Sequence, residues 1–410
     1  MISDRWGDAW DWRASVDSVL LRGCRKAEGL FAVVWQCDYA AALSCNEETA
    51  LNKEPSTSMI RRRLERLGVD FPVLIAPMVG ISHVAFRELI RSYTPVGLNP
   101  LIFTEMLSTR RLPSERLDAV NEIRVAEGEG YFVPQLLGNE ERFIAPSIEK
   151  LLRLGPWGFD INMGCPVEHI LKHNWGVRLL GDRAYAADVV RMTKRHSPLP
   201  VSVKLRGGAD ADLDVTWLDE FTAALEDAGA DWLTIHARPR ARGHTGEANW
   251  RLCSEIASRR GIPIVANGDV QTADDALSLL GPDFGMDGVM IARAACVRPW
   301  IIWQIAARMG CTTAPQGRAG ELPPEGGIAE GREYVRACLT MIDQLETYFE
   351  GDDYIRKKFS FFVATGARWF PFGHAFWALT TKAKSVSHLR ELVTGWGERS
   401  PDSTYARIEL

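Results

Sequence analysis

Eight short β-rich runs recur between residues 72 and 292, and amphipathic stretches separate them. They lie at 73–77, 101–104, 131–137, 158–162, 201–205, 231–236, 262–267 and 287–292. In the stretches between them, such as SEIASRR and TADDALSLL, apolar residues recur every three to four positions, as in helices packed on one face. This alternation predicts a (β/α)8 TIM barrel. The alternative is a doubly wound open sheet, but the first strand is followed by APMVGIS, which lacks the Gly-rich turn of that fold.

The segments on either side of the repeat lack this alternation. Residues 1–58 contain four tryptophans and no clear strand and helix pattern. They are either an N-terminal extension, which we expect to be poorly ordered, or the product of a start site assigned too early, with Met59 as the true beginning. Residues 311–330 have the composition of a linker. Residues 331–400 show helical periodicity, so a smaller C-terminal helical domain is expected after a barrel domain at 72–310.

Composition limits the possible partners and sites. The 410 residues carry a net charge of −5, so a face that binds nucleic acid would have to be local. The eight cysteines form no C-x-x-C pair, which argues against a zinc site or a disulfide framework. No apolar run reaches the roughly 18 residues of a membrane span. We therefore expect a cytoplasmic monomer without a metal or a membrane partner.

Polar residues cluster where the predicted strands end. In TIM barrels the chemistry lies at the C-terminal ends of the strands, so these positions are the candidates for a site. They are Met78, Gln135, Asn162, Cys165, Lys204, Arg206, His236, Arg238, Asn267, Gly268, Asp269, Ala292 and Arg293. The loops after strands seven and eight combine small residues with a positive charge, which is typical of a phosphate site in such barrels.

Lys204 lies within the predicted strand VSVKL, and a charge inside a barrel is costly without compensation. Three interpretations remain open from this residue alone: a salt bridge, a cation facing an electron-rich cofactor ring, or the Schiff-base lysine of an aldolase. Gln135 and His236 are hydrogen-bonding groups at matching depth, and they favour a planar ring with polar edges.

Seven segments, in order, resemble the motifs of the dihydrouridine synthase family, flavin-dependent barrels that reduce uridine in tRNA. They are LIAPMVGISHVAFRELIR, PQLLGN, DINMGCPVEHILKHNWGVRLLGD, VSVKLRGG, LTIHARPRARGHTGEANW, IPIVANGDV and DGVMIARAACVRPW. The resemblance implies a tRNA-dihydrouridine synthase, an oxidoreductase that uses FMN and takes its electrons from NADPH or NADH, with NADPH expected. It also implies tRNA as the macromolecular partner.

The resemblance further implies a role for each candidate position. One side of the flavin would contact Pro77, Met78 and Val79. The ring would meet Gln135 and Lys204, and the ribityl or phosphate side would meet His236. The phosphate end would be held by Asn267, Gly268, Asp269, Ala292 and Arg293. The substrate base would face Asn162, with further contacts from Arg206 and Arg238. The family usually has Gly-Arg where this chain has Ala292-Arg293, which makes the phosphate contacts the least secure.

Cys165 is the implied proton donor, and its chemistry suits that task. Reduction of the uracil C5=C6 bond needs a hydride at C6 and a proton at C5. A thiol with a pKa near 8.5 is mostly protonated at neutral pH, yet it is acidic enough to protonate a developing enolate. Gly164 would let the loop approach the substrate, and Pro166 would fix the direction of the chain that follows.

Two basic stretches are candidates for RNA contact. The loop after strand six carries Arg240 and Arg242, and residues 354–390 contain seven basic residues, several aromatic residues and no acid. Within the latter stretch we name Arg356, Lys357 and Lys358. A solvated helix face over an aromatic core would explain the aromatic residues equally well. Two other functions remain alternatives: another flavin barrel that acts on a small molecule, such as a dihydroorotate or ene reductase, and an RNA-binding protein that has lost catalysis.

Overall fold

A computed structural model of the chain describes residues 63–208, 213–243, 245–367 and 373–399. The expected N-terminal extension at 1–58 lies outside these ranges. The strands are β1 Val73–Ile75, β2 Leu101–Ser108, β3 Phe132–Leu137, β4 Phe159–Met163, β5 Val201–Arg206, β6 Trp232–His236, β7 Ile264–Asn267 and β8 Gly288–Ile291. The helices of the barrel region are α1 Val84–Ser92, α2 Glu141–Leu152, α3 Glu168–Leu171, α4 Arg183–His196, α5 Val215–Asp227, α6 Trp250–Arg259, α7 Ala273–Leu280, α8 Arg293–Val297 and α9 Ile301–Arg308. Four further helices follow: α10 Gly327–Tyr348, α11 Asp352–Gly366, α12 Gly373–Thr380 and α13 Val386–Arg399.

The eight strands form one closed parallel barrel in sequence order, which confirms the predicted (β/α)8 fold. β1 pairs with β8 to close it, with Leu74 opposite Met290. β4 and β5 pair with Asn162 opposite Lys204, and β5 and β6 with Lys204 opposite Thr234. Because side chains alternate across a strand, this register sets which polar groups share one level of the interior.

Two apolar layers hold the barrel together. Inside it, one cluster combines inward-facing residues, among them Leu74, Phe103, Val133, Trp232 and Met290. Outside it, a larger cluster fills the space between the sheet and the helices. Polar side chains share the interior with this cluster, because Ser202 of β5 lies opposite Trp232 of β6.

Side-chain caps define where several barrel helices begin. The side chains of Asp182, Asp214 and Asn249 accept hydrogen bonds from the first turns of α4, α5 and α6. Thr272 and Asp275 form a reciprocal capping box at the start of α7. Each cap satisfies backbone N–H groups that lack partners at a helix N-terminus, a contribution of about 1 kcal/mol. The caps thus fix the lengths of the loops that follow the strands.

The helices after the barrel pack directly against it. The Tyr93 hydroxyl, just after α1, donates to Glu333 Oε1 of α10 at 2.7 Å. Arg318 binds the same carboxylate at 2.8 Å and stacks over Trp303. Helix α10 begins at Gly327, within the stretch whose composition is that of a linker. No described helix is long and apolar enough to cross a membrane.

Candidate active site

Inside the barrel, a chain of hydrogen-bonded side chains joins the neighbouring strands β5, β4 and β3. The Ser202 hydroxyl donates to Asp160 Oδ1, and Gln135 Nε2 donates to Asp160 Oδ2 at 2.7 Å. Asn162 Nδ2 then donates to Gln135 Oε1 at 2.8 Å. All four residues are buried. The predicted residues Gln135 and Asn162 are therefore brought together, and they are joined to Asp160, which the sequence reasoning did not select.

Asn162 lies one residue before the end of β4 and holds the loop that carries Cys165. Its Oδ1 accepts hydrogen bonds from the backbone N–H groups of Gly164 at 3.1 Å and Cys165 at 3.0 Å. An asparagine that binds backbone N–H groups two and three residues ahead stabilises a tight turn. Further along, Gly176 has φ +61°, and a Cβ there would lie 2.6 Å from the Cys165 carbonyl oxygen. Glycine is needed at 176 for the loop to return this close to Cys165.

The Cys165 thiol is half-buried at the mouth of the barrel. Burial raises its pKa, while the Val167 N–H and the positive charges of Arg206 and Lys204 act in the opposite direction. The thiol is consequently protonated at neutral pH and available as an acid. Within the described residues, no group of three or more His, Cys, Asp or Glu side chains is arranged to hold a metal ion.

Lys204 extends into the barrel interior without a direct partner. Within the part of the chain that the structure describes, its ammonium group makes no hydrogen bond and no ion pair. Burial lowers the pKa of Lys204 to about 8, although the nearby Asp160 carboxylate opposes this shift. Burial likewise raises the pKa of Asp160 to about 6. On the adjacent strand, the buried Thr234 Oγ1 also lacks a hydrogen-bond partner among the described residues.

The loops after β6, β7 and β8 meet beside this interior. Gly268 has φ +107°, and a Cβ there would lie 2.9 Å from His236 Cδ2, so only glycine leaves room for the imidazole. Asn267 Nδ2 donates to the Met290 carbonyl oxygen at 2.8 Å, which joins the ends of β7 and β8. Ala292 precedes α8, whose first residue is Arg293. These predicted positions therefore lie on adjoining loops.

Two of the predicted residues on those loops bind each other. Arg238 is 1% exposed, and its guanidinium binds Asp269 Oδ1 at 2.6 Å and Oδ2 at 2.7 Å. Asp269 Oδ2 also accepts from the Ala248 N–H. These contacts hold Arg238 against the loop after β7, and its contact with substrate stays a prediction. The Asp269 carboxylate is likewise engaged, and as an anion it would repel a phosphate.

Arg206 joins two loops at the barrel mouth. It is 4% exposed, its Nε donates to the Gly164 carbonyl oxygen at 3.1 Å, and its Nη1 donates to the Gly243 carbonyl oxygen at 2.8 Å. Its Nη2 makes no hydrogen bond within the described residues. The arginine therefore supports the Cys165 loop and keeps one donor nitrogen for a ligand. On the loop it contacts, Arg240 is half-buried and Arg242 is exposed.

Helix α11 covers the loop after β1. The Phe361 ring lies over Gly80, 2.8 Å from where a Cβ would stand. The Gly80 N–H donates to Glu105 Oε2 at 2.6 Å, and Lys358 Nζ of α11 lies 3.7 Å from Glu105 Oε1. Beside Gly80, Pro77 and Met78 are half-buried, and Val79 is 51% exposed. Helix α11 is thus attached to the loop that was predicted to contact the flavin.

The three predicted RNA-contact residues of α11 differ in their exposure and in their protein contacts. Lys358 is only 17% exposed and is directed at Glu105, so it is a structural residue. Arg356 binds the Ala383 carbonyl oxygen and Asp353. Lys357 is exposed on the same helix. Among the three predicted basic residues of α11, Lys357 is the one directed at solvent.

The chain is similar to known proteins of one family. The family model described as dihydrouridine synthase (Dus) matches residues 74–366. A protein named tRNA-dihydrouridine synthase B, from Pseudomonas aeruginosa, is 30% identical over 302 residues, covering 73% of this chain and 86% of that protein. A protein named probable tRNA-dihydrouridine synthase 1, from Synechocystis sp., is 35% identical over 235 residues, covering 57% of this chain and 64% of that protein.

Solved structures add only a distant likeness. FabK from Thermotoga maritima aligns with a TM-score of 0.37 at 14% identity, covering 58% of this chain and 64% of that one. So low a score carries no argument about function. The family match spans both the barrel and α11, and it includes every residue of the interior described above. The chain belongs to the dihydrouridine synthase family.

Proposed function

We propose that this protein is a tRNA-dihydrouridine synthase that uses FMN and reduces the C5=C6 bond of uridines in tRNA. The observation that supports this most is a thiol, Cys165, held at the mouth of a barrel whose interior contains Lys204, a lysine with no hydrogen bond or ion pair among the described residues. A reduction that adds a hydride to one face of a pyrimidine and a proton to the other needs such an acid beside a cofactor site.

The interior fits a flavin. The Lys204 ammonium and the buried Thr234 hydroxyl lie at one level of the barrel and lack partners among the described residues, as expected of groups that bind the polar edge of a ring. Lys204 would bind that edge. Gln135 would lie against the ring, since both atoms of its amide already have protein partners, and Pro77, Met78 and Val79 would contact one side of the ring. When bound, FMN supplies the hydride that is added to C6.

The loops after β6, β7 and β8 would hold the phosphate end. Asn267 and Gly268 lie on one loop, Ala292 and Arg293 on the next, and His236 packs against Gly268. Arginine and backbone N–H groups are common phosphate ligands in TIM barrels. In the Asp269 segment only the backbone is suited to this task, because the carboxylate binds Arg238.

Cys165 would deliver the proton from Sγ to C5 of the uracil. Its raised pKa keeps the thiol protonated until the substrate carbon becomes basic. Asn162 fixes the loop by binding the N–H of Cys165, and Arg206 supports it through the Gly164 carbonyl oxygen. Arg206 Nη2 is then available for a carbonyl oxygen of the base. Asn162 acts here as a positioning residue, since both atoms of its amide already have protein partners.

The RNA would approach over α11 and the loop after β6. A stacked base must leave the helix before it enters the barrel, which costs a few kcal/mol. Val79 and the 37% exposed Phe361 offer apolar contact at the mouth, and Lys357 adds an exposed positive charge on the same helix. Arg240 and Arg242 would contribute from the other side. Phosphate contacts of this kind offset the cost of extracting the base.

A reconstituted reaction tests the proposal. Purified protein should be yellow and should release FMN on denaturation. With tRNA from a strain that lacks dihydrouridine, it should form dihydrouridine faster with NADPH than with NADH, as measured by mass spectrometry of the nucleosides. Flavin-loaded protein that forms none with either reductant would refute the synthase assignment. Equal rates with the two nucleotides would refute only the choice of NADPH.

We further propose that the protein is a cytoplasmic monomer.

A further inference from the structure

We propose that Asp160 is a positioning residue whose carboxylate sets the direction of the hydrogen bonds through Gln135 and Asn162, and so fixes the loop that carries Cys165. The inference deepens the proposed function, because it rests on that function for the role of Cys165. One continuous network joins four side chains, those of Ser202, Asp160, Gln135 and Asn162. The Asp160 carboxylate is the point at which its direction is set.

Asp160 can only accept hydrogen bonds, and both of its oxygens are used. Oδ1 binds the Ser202 hydroxyl, and Oδ2 lies 2.7 Å from Gln135 Nε2. The side-chain amide of Gln135 must therefore present its NH2 group to Asp160. Its carbonyl oxygen consequently faces the other way, where it lies 2.8 Å from Asn162 Nδ2.

The orientation of the Gln135 amide in turn fixes that of Asn162. Because its NH2 group binds Gln135, its Oδ1 faces the loop and accepts the N–H groups of Gly164 and Cys165. The two ends of an amide have nearly the same shape, so packing does not distinguish one orientation from its flipped form. With Asn162 reversed, its NH2 would meet two backbone N–H donors, and the loop would lose its acceptor. The carboxylate at the far end removes that alternative.

The surroundings keep Asp160 in the state that this role requires. Ser202 on β5 lies opposite Asp160, and the positive charge of Lys204, also on β5, attracts the carboxylate. Although burial raises the pKa of Asp160, its value of about 6 leaves the group ionised at neutral pH. Asp160 reaches the loop only through Gln135 and Asn162, so we expect it to act on Cys165 indirectly.

Replacement by asparagine tests the inference at constant size. In Asp160→Asn the terminal group both donates and accepts, so the direction of the network is no longer fixed. We expect amide hydrogen exchange at Gly164 and Cys165 to become at least about tenfold faster, because their acceptor is lost for part of the time. The rate at which iodoacetamide alkylates Cys165, measured by mass spectrometry of the peptide that contains it, should change as well. In turnover, kcat should fall while KM for tRNA stays within about twofold.

Two further variants separate direction from simple disruption. Ser202→Ala removes the other hydrogen bond to Asp160 but leaves an acceptor-only group facing Gln135, so exchange at Gly164 and Cys165 should match the wild type. Gln135→Met interrupts the network at its middle and should give the same acceleration as Asp160→Asn. This variant decides the matter if Asp160→Asn does not fold.

The outcomes are distinct. Unchanged exchange at Gly164 and Cys165 in folded Asp160→Asn would overturn the inference, as would unchanged exchange in Gln135→Met if Asp160→Asn does not fold, and so would equal acceleration in Ser202→Ala. Exchange and alkylation are measured on the protein without tRNA, so they do not depend on the proposed reaction. Faster exchange in a protein whose wild type forms no dihydrouridine would refute the proposed function and leave the role of Asp160 intact.

Discussion

Replacing Lys204 with methionine should stabilise the fold and weaken the binding of flavin. The wild-type ammonium lies in the barrel interior without a hydrogen bond or ion pair among the described residues, and burial lowers its pKa from 10.5 to about 8. One pKa unit corresponds to about 1.4 kcal/mol, so this shift represents about 3 kcal/mol of unfavourable interaction. Because the variant also removes the positive charge that favours ionised Asp160, we expect a net gain of about 1 to 3 kcal/mol in the free energy of unfolding.

The pH dependence gives this prediction a specific signature. The folded pKa of Lys204 lies below its unfolded value, so the unfolded chain binds the proton more tightly. The destabilisation is complete below about pH 8, and it disappears as the pH rises towards 10.5. The gain in the free energy of unfolding from Lys204→Met should therefore be largest at neutral pH, and it should vanish as the pH rises from about 8 towards 10.5.

Urea unfolding of flavin-free protein measures this effect, and fluorescence titration with FMN measures the cost to binding. Loss of a charge-assisted contact should weaken FMN binding by about tenfold or more. Lys194→Met is the matched control, because Lys194 is paired with Asp231 at 2.7 Å near the surface. That control should change stability by less than about 1 kcal/mol and leave FMN binding unchanged. A Lys204→Met variant that is less stable than the wild type would refute the reasoning.

Three further predictions follow from particular contacts. Arg87→Met breaks a fully buried pair with Glu129 and should lower the free energy of unfolding by about 3 to 5 kcal/mol in urea titration; a loss below about 1 kcal/mol would contradict this. Gly268→Ala places a Cβ 2.9 Å from the His236 ring at a positive φ, so FMN affinity should drop at least about tenfold by fluorescence titration, and unchanged affinity would exclude a role for this loop. Lys357→Ala should weaken tRNA binding and reduce the slope of log K against log salt by about 1, whereas equal slopes would remove this residue from the interface.

The barrel could be predicted from sequence because its signal is local and repeated. The run at 201–205 becomes strand Val201–Arg206, and 231–236 becomes Trp232–His236. Strand alternation also accounts for Lys204 facing inward with Ser202, since the intervening residues are apolar and pack against the helices. The motif that includes Asn162 and Cys165 was recognised by its order and composition, and the structure brings both residues to the mouth of one barrel.

The sequence did not reveal contacts whose two partners lie far apart along the chain. Arg238 was selected as a substrate contact because it follows a strand, but its guanidinium also binds Asp269, which follows the next strand. Lys358 was counted in a stretch without acids, yet Glu105 on β2 is close enough to attract it. Local charge counts do not reveal such pairs. Asp160, by contrast, could have been found, since alternation along β4 places it on the same face as Asn162.

The central claim is that the thiol of residue 165 protonates the uracil that the barrel receives. The most direct test is the dihydrouridine content of tRNA from a strain whose only copy of the gene encodes Cys165→Ala, measured by mass spectrometry of the nucleosides beside a strain with the wild-type gene. The account predicts at least about a hundredfold less dihydrouridine at the affected positions, from a protein that still binds FMN and tRNA. Dihydrouridine at the wild-type level in that strain would contradict it.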